Sequence, residues 1–186
     1  MNKIYGLKSD YAPVKREGTQ IIVSYGYEAI DKKEGTWYEV SLPAANYPLL
    51  SFADVKDAIL GDINARTDEK IISGFVWTPA AGGDPIPVWL STENQFNFKS
   101  AYDLAVQKNG ATLPVTFKMG EDAEENPVYH TFETMEDADD FYIKAVAYIN
   151  QTLAAGWTEK DSIDWEPYEE LFPQPAQSSN TEEQPE

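Results

Sequence analysis

One order of elements occurs twice in this chain: two short apolar strands, then a helix that begins at a hydroxyl side chain. The strand pairs are residues 75–77 with 86–90, and residues 113–117 with 128–132. Ser91 and Thr134 stand where the two helices begin, as Ser and Thr commonly do at N-caps. The pattern predicts alternating hairpins and helices, which is an α+β arrangement.

A further helix precedes both repeats. Ser51 and Asp54 form a capping-box pattern, and Gly74 supplies a stop, so the helix is expected to end near Ser73. The third helix is expected to end at Gly156 for the same reason. Residues 51–165 are therefore predicted to form a helix–hairpin–helix–hairpin–helix domain.

Residues 1–50 are predicted to form a separate β-rich module. Residues 20–27 and 36–42 are rich in β-branched and aromatic side chains, and a turn-like stretch lies between them. This module contains six basic and six acidic residues, whereas the whole chain has a net charge of -18. A neutral module can approach another acidic surface, so residues 1–50 are the predicted docking module, for a second copy or another protein.

Residues 166–186 carry six acidic residues and no basic ones, and few apolar side chains. They are predicted to form an acidic flexible tail. Trp157 and Trp165, just before it, are expected to pack against Phe141 and Ile149. The acidic balance also argues against a conventional nucleic-acid binder, which needs clustered Lys and Arg.

No enzymatic constellation, cofactor site or metal site is predicted. The chain has no cysteine, which excludes disulfides, thiolate zinc sites and cysteine nucleophiles. His130 is the single histidine and is interpreted as structural. The acidic loop at residues 120–127 lacks the EF-hand pattern and is interpreted as a solvated turn rather than a calcium site. With no apolar run long enough to span a bilayer and no secretory leader at Met1–Leu7, the expected compartment is a cytoplasm.

Aromatic side chains crowd the first fifty residues and can pack in a core, anchor a protein interface or stack on a glycan. All three alternatives stay open from the sequence. The interface candidates are Tyr25, Tyr27, Trp37, Tyr38 and Tyr47.

Several stretches within residues 54–165 also carry a family resemblance. They include Asp62–Asp68 on the first helix, Gly74–Trp77, Val88–Asn97, Ala101–Ala105 and Gly156–Trp157. In this order they resemble an uncharacterised domain found near the C-termini of phage tail-fibre and fibre-assembly proteins. Ala101–Ala105 and Tyr148–Leu153 are also similar in wording to virion proteins of phages that infect gut Bacteroidetes.

The resemblance implies an acidic structural protein of a phage virion, a head- or tail-fibre component or capsid decoration, and carries no catalytic residues to transfer. The implied partners are other virion proteins and further copies in a dimer or trimer, without nucleic acid or membrane. The location would be the virion, assembled in the host cytoplasm. Two alternatives remain: an acidic inhibitor that mimics nucleic acid, and a glycan-binding adhesin module.

Overall fold

The computed structural model describes residues 3–80 and 82–172, and it has the α+β class predicted, with a β-rich N-terminus and helices after it. Its contacts divide the chain into two compact units, each described separately below. Unit 1 comprises residues 1–64 and 159–186, and unit 2 comprises residues 65–158. These limits differ from the predicted boundaries at residues 50 and 165, because the first helix contributes side chains to the core of the N-terminal sheet.

Unit 1 is built on a four-stranded antiparallel sheet with the strand order β1-β4-β3-β2. Its strands are β1 (Ile4–Leu7), β2 (Val14–Glu17), β3 (Gln20–Ala29) and β4 (Glu34–Pro43), with short 3-10 turns at Lys8–Asp10 and Ala44–Asn46. β3 and β4 form the predicted hairpin, longer at both ends than the sequence indicated. The two flanking strands were not predicted, because four residues are too few to show an alternating pattern.

The first part of helix α1 (Phe52–Ser73) closes one face of this sheet. Its capping box is present: the Asp54 amide donates to Ser51 Oγ at 3.3 Å, and the Ser51 amide donates to Asp54 Oδ2 at 2.7 Å. The apolar side chains behind the cap are buried in one cluster with the sheet. That core contains Ile21, Val23, Tyr25, Phe52, Val55, Ile59, Ile63, Tyr168 and Phe172.

The flexible tail was predicted to begin at residue 166, but residues 166–172 belong to the fold. Residues Glu166–Leu171 form helix α4, and the buried Tyr168 hydroxyl donates to the Ser24 carbonyl oxygen at 2.6 Å. Tyr168 and Phe172 therefore belong to the core of unit 1, which explains why the segment is ordered despite its acidic composition. The rest of the predicted tail, residues 173–186, lies outside the described residues.

Unit 2 contains two hairpins and most of the helical residues. Its elements are β5 (Phe75–Trp77), β6 (Ile86–Val88), α2 (Thr92–Gln107), β7 (Val115–Glu121), β8 (Pro127–Phe132) and α3 (Met135–Asp161), whose last three residues belong to unit 1. Ser91 Oγ accepts from the Asn94 amide and Thr134 Oγ1 from the Asp137 amide, both at 3.2 Å, so both predicted N-caps are present. The core includes Trp77, Val88, Leu90, Phe98, Met119, Phe132 and Phe141.

Two expectations at the end of α3 were wrong. The helix does not stop at Gly156 but continues to Asp161, and Trp157 is 58% exposed rather than buried. Trp165 packs in unit 1, with its ring centroid 6.0 Å from that of Phe52, and not against Phe141 or Ile149. Gly156 is instead a helix-interior residue at a point of close packing: a β-carbon built on it would lie 2.5 Å from Thr67 Oγ1.

Candidate interaction site

Two of the five aromatic candidates are not available for an interface. Tyr25 and Trp37 are 0% and 2% exposed, so both belong to the interior of the chain. The Tyr25 hydroxyl donates to the Asp62 carboxylate, and its ring stacks on Tyr38 at 5.7 Å between centroids. This corrects the assignment of Tyr25 and Trp37 as contact residues, because core packing already uses their rings.

Tyr27 and Trp37 pack together with Tyr11. The Tyr11 ring centroid lies 5.0 Å from that of Tyr27 and 5.9 Å from that of Trp37. Tyr27 reaches this group because the strand pairing shifts between Tyr25 and Glu28, where Gly26 has a φ of +64°. The bulge breaks the strand alternation that would otherwise place Tyr25 and Tyr27 on one face. Tyr27 and Tyr38 are both half-buried.

Glu39 anchors the middle of β4 through a shared oxygen. Its Oε1 accepts hydrogen bonds from Trp37 Nε1 at 3.0 Å, Lys15 Nζ at 3.0 Å and Ser24 Oγ at 3.4 Å. Partial burial raises the pKa of the Glu39 carboxyl, but the bonds from Trp37 and Lys15 outweigh this and hold the pKa below its ordinary value. The network ties β4 to β2 and β3.

Part of β4 has no strand partner on its β1 side among the described residues. β1 pairs with residues 34–37, and no described strand pairs with the same side of residues 39–43. We call residues 39–43 the β4 edge. Such an edge presents amide and carbonyl groups that another strand can join. Tyr47 and Leu49 follow it closely in the chain and are 54% and 85% exposed.

Of the five candidates, then, only Tyr47 is a solvent-facing aromatic, and the structure adds Leu49 and the β4 edge to it. Sequence reasoning also missed the outer side of α3, where Ile143 and Trp157 are exposed. The signal that would have revealed it is the near absence of charge along residues 141–158.

His130 lies on β8 in unit 2, next to the first turn of α3. Its Nε2 is 2.7 Å from Asp137 Oδ2, and its ring meets Trp77 edge-on at 4.9 Å between centroids. His130 also borders an open cleft of about 470 Å³, together with Gly82, Thr131 and Thr134. The geometry gives His130 a clear packing role, joining β8 to the first turn of α3.

The acidic loop between β7 and β8 uses its carboxylates to close itself. Asp122 Oδ1 accepts from the Glu124 amide at 3.0 Å and from the Asn126 amide at 2.8 Å, and the bonds from Asn126 and Glu124 lower the pKa of the Asp122 carboxyl. Among residues 3–80 and 82–172, no group of three or more His, Asp or Glu side chains is arranged to hold a metal ion.

None of the helices that the structure describes is both long enough and apolar enough to cross a bilayer.

Comparison with known proteins gives one match. No curated protein and no solved structure matches the chain. Residues 54–177, which are more than half of the chain, match a family described as a domain of unknown function, DUF4376. The matched region begins in the first turn of α1 and includes all of unit 2. The chain therefore belongs to the DUF4376 family.

Proposed function

We propose that this protein is a structural component of a phage virion, in a head or tail fibre, that makes noncovalent contacts with other virion proteins. The resemblance of residues 54–165 to fibre-associated domains supports the virion role. Residues 51–165, as a helix–hairpin–helix–hairpin–helix domain, would be the part shared with such proteins. The chain would be incorporated during assembly in the host cytoplasm.

The observation that carries the docking part of this proposal is the β4 edge. Five residues of strand edge that no described strand joins can accept an added strand, with each main-chain hydrogen bond contributing about 0.5–1.5 kcal/mol net. The exposed Tyr47 can supply an aromatic anchor beside it. Residues 1–50 contain equal numbers of acidic and basic residues, so an acidic partner is not repelled there.

The alternative function, an inhibitor that mimics nucleic acid, has less support, because several of the carboxylates that it would need already have hydrogen-bond partners. A nucleic-acid mimic presents unengaged carboxylates in rows, as phosphates are presented. In the first turns of α3, however, Asp137 is hydrogen-bonded to His130 and Asp140 to Trp77 and Lys144. Asp139 lies close enough to the Tyr102 hydroxyl to raise its pKa. These groups hold unit 2 together rather than form a free acidic row.

The experiment measures binding of the purified chain to gradient-purified particles from cells that encode it. A Tyr47→Ser, Leu49→Ser variant removes exposed apolar groups and should fold normally, yet its particle affinity should fall at least ~10-fold. Tyr129→Ser is the matched control, because Tyr129 is exposed to a similar extent as Tyr47 but lies in unit 2. Equal binding by both variants would contradict docking beside the β4 edge. Absence of the wild-type chain from the particles would contradict the virion role itself.

A further inference from the structure

The middle of α3 is almost uncharged. Residues 141–158 contain one charged side chain, Lys144, in a chain whose net charge is -18. The acidic residues of the helix lie in its first turns and in its last one. Exposed helix faces are normally charged or polar, so five turns with a single charged side chain indicate that more of the helix surface is covered than one core-facing side.

One side of this stretch is covered by unit 2 itself. Phe141 and Ala145 are buried in its core, and Ile149 and Leu153 pack against that core. The other side is solvent-facing: Ile143 is 64% exposed, and Val146 and Trp157 are exposed as well. We call Ile143, Val146, Asn150, Ala154 and Trp157 the α3 stripe. At ~100° per residue these five positions fall within roughly 80° of the helix circumference.

The α3 stripe is spaced symmetrically about Asn150. Ile143 and Trp157 lie seven residues before and after Asn150, and Val146 and Ala154 lie four residues before and after it. In an antiparallel pair with its two-fold axis at Asn150, each Ile143 would therefore face Trp157 of the other copy. Each Val146 would face the smaller Ala154. A two-fold interface requires a surface that complements itself in this way.

We propose that the α3 stripe is a self-association surface, on which two copies of the chain pair antiparallel across Asn150. The Asn150 side chain can both donate and accept, so two of them can hydrogen-bond to each other at the axis. A single polar residue in an apolar helix seam fixes the alignment of the two helices. This places the contact between copies on α3 and not on residues 1–50, and it does not depend on the proposed virion role.

Charge favours this surface and this orientation. Two chains of net charge -18 repel each other, and the repulsion is smallest where the facing surfaces carry no carboxylates. A parallel pair would bring together the acidic first turns of both helices, with Glu136, Asp139 and Asp140 of each. The antiparallel pair keeps those turns roughly 30 Å or more apart, and it places each of them opposite the last turn of the other helix, where Lys160 partly offsets Glu159 and Asp161.

The stripe is small, so the pair should be weak. Five partly exposed side chains bury roughly 400 Å² per copy, about half of the ~800 Å² per partner found in standard interfaces. Sedimentation of the purified chain should show a monomer near ~10 µM and a growing dimer fraction toward ~1 mM. Added salt should strengthen the association, because it screens the repulsion between acidic chains while leaving an apolar contact intact.

Because the chain has no cysteine, single introduced cysteines can report which positions meet. Under mild oxidation, Asn150→Cys should form a disulfide-linked dimer, whereas Ile143→Cys should not, since the two positions would lie about 21 Å apart along the paired helices. Val146→Cys mixed with Ala154→Cys should give the mixed dimer in preference to either homodimer. Tyr129→Cys, exposed on β8, measures collision alone. Circular dichroism verifies that each variant keeps the helical content of the parent.

Dimer formation by Ile143→Cys as readily as by Asn150→Cys would overturn the antiparallel arrangement. Yields for Asn150→Cys no higher than for Tyr129→Cys, together with a monomer at ~1 mM, would overturn self-association through α3. Loss of particle binding on Trp157→Ser in such a monomer would assign the stripe to another virion protein instead. All the assays of self-association use the purified chain, so their result is independent of the particle-binding experiment.

Discussion

Replacement of Gly156 by alanine should destabilise this protein, although the same replacement usually stabilises a helix. Gly156 lies inside α3, where alanine is favoured over glycine by about 0.8–1 kcal/mol. The added β-carbon, however, would lie 2.5 Å from Thr67 Oγ1 and 3.2 Å from Thr67 Cγ2. Overpacking of this kind costs about 1–3 kcal/mol. We therefore expect the free energy of unfolding to fall by roughly 1 kcal/mol.

In a Thr67→Ala background, Gly156→Ala should change the free energy of unfolding in the opposite direction. In Thr67→Ala the two nearest atoms are gone, and the remaining Cβ is 3.4 Å from the position that the new methyl group would occupy, an ordinary contact distance. Gly156→Ala should then stabilise the chain by about 1 kcal/mol relative to Thr67→Ala. The double-mutant cycle thus predicts a coupling free energy of about 2 kcal/mol, and other interactions of Thr67 cancel within it.

Urea denaturation of the four proteins measures this coupling, provided that the slope with denaturant stays constant. Gly61→Ala is the matched control, because Gly61 is also a helix-interior glycine but has no atom within 4 Å of its built β-carbon. Gly61→Ala should stabilise the chain by up to about 1 kcal/mol. If Gly156→Ala stabilised the wild-type chain as Gly61→Ala does, the close packing of α3 on Thr67 would be refuted.

Three further outcomes are expected from urea denaturation. Trp157→Ala should change the free energy of unfolding by less than about 1 kcal/mol because the ring is mostly exposed, and a loss of about 3 kcal/mol or more would show that it is buried. Tyr168→Phe should cost about 1–2 kcal/mol by leaving the buried Ser24 carbonyl oxygen without its donor, and an unchanged midpoint would contradict that bond. Hydrogen bonds from Lys144 and Trp77 hold the pKa of Asp140 below its ordinary value in the folded chain. The stability that Asp140 contributes is therefore fully present above its pKa in the unfolded chain, near ~3.9. It is lost as the pH falls through the pKa of Asp140 in the folded chain. Asp140→Asn should accordingly flatten the decline in stability at acidic pH.

Signals at helix starts could be read from the sequence, whereas the two glycine signals at helix ends predicted one end correctly, at Ser73, and one wrongly, at Gly156. Ser51, Ser91 and Thr134 act within one turn of chain, so their local chemistry decides where a helix begins. Gly74 and Gly156 look alike in sequence. Gly74 has a φ of +74° and ends α1, but Gly156 is retained inside α3 by its packing on Thr67. Only the tertiary contact distinguishes the two.

The candidate site was predictable to a smaller extent. Composition showed that the first fifty residues are aromatic, but it does not determine which rings are covered. Tyr25 and Trp37 are in the core, and Tyr47 is exposed because it follows the last strand of the sheet. The β4 edge depends on how far β1 pairs along β4 among the described residues, which is a property of pairing between distant segments. The α3 stripe needed both the charge pattern and the knowledge of which helix face is buried.

The family match begins at residue 54, yet the chain from residue 50 onward should not fold fully without the segment before it. Val55, Ile59 and Ile63 are fully buried against side chains of β3. Exposing these three costs about 1.5–3 kcal/mol each, so their combined loss is comparable with the roughly 5–15 kcal/mol that stabilises a typical domain.

A protein comprising residues 50–186 should therefore show rapid hydrogen exchange at residues 52–63 and bind an apolar dye. The core residues of unit 2, such as Phe98 and Phe141, lie in a different cluster, and their segments should stay protected. Slow exchange at residues 52–63 in the shortened protein, equal to that in the full chain, would mean that α1 is held by something other than the sheet. That result would also support the prediction that residues 1–50 form a separate docking module.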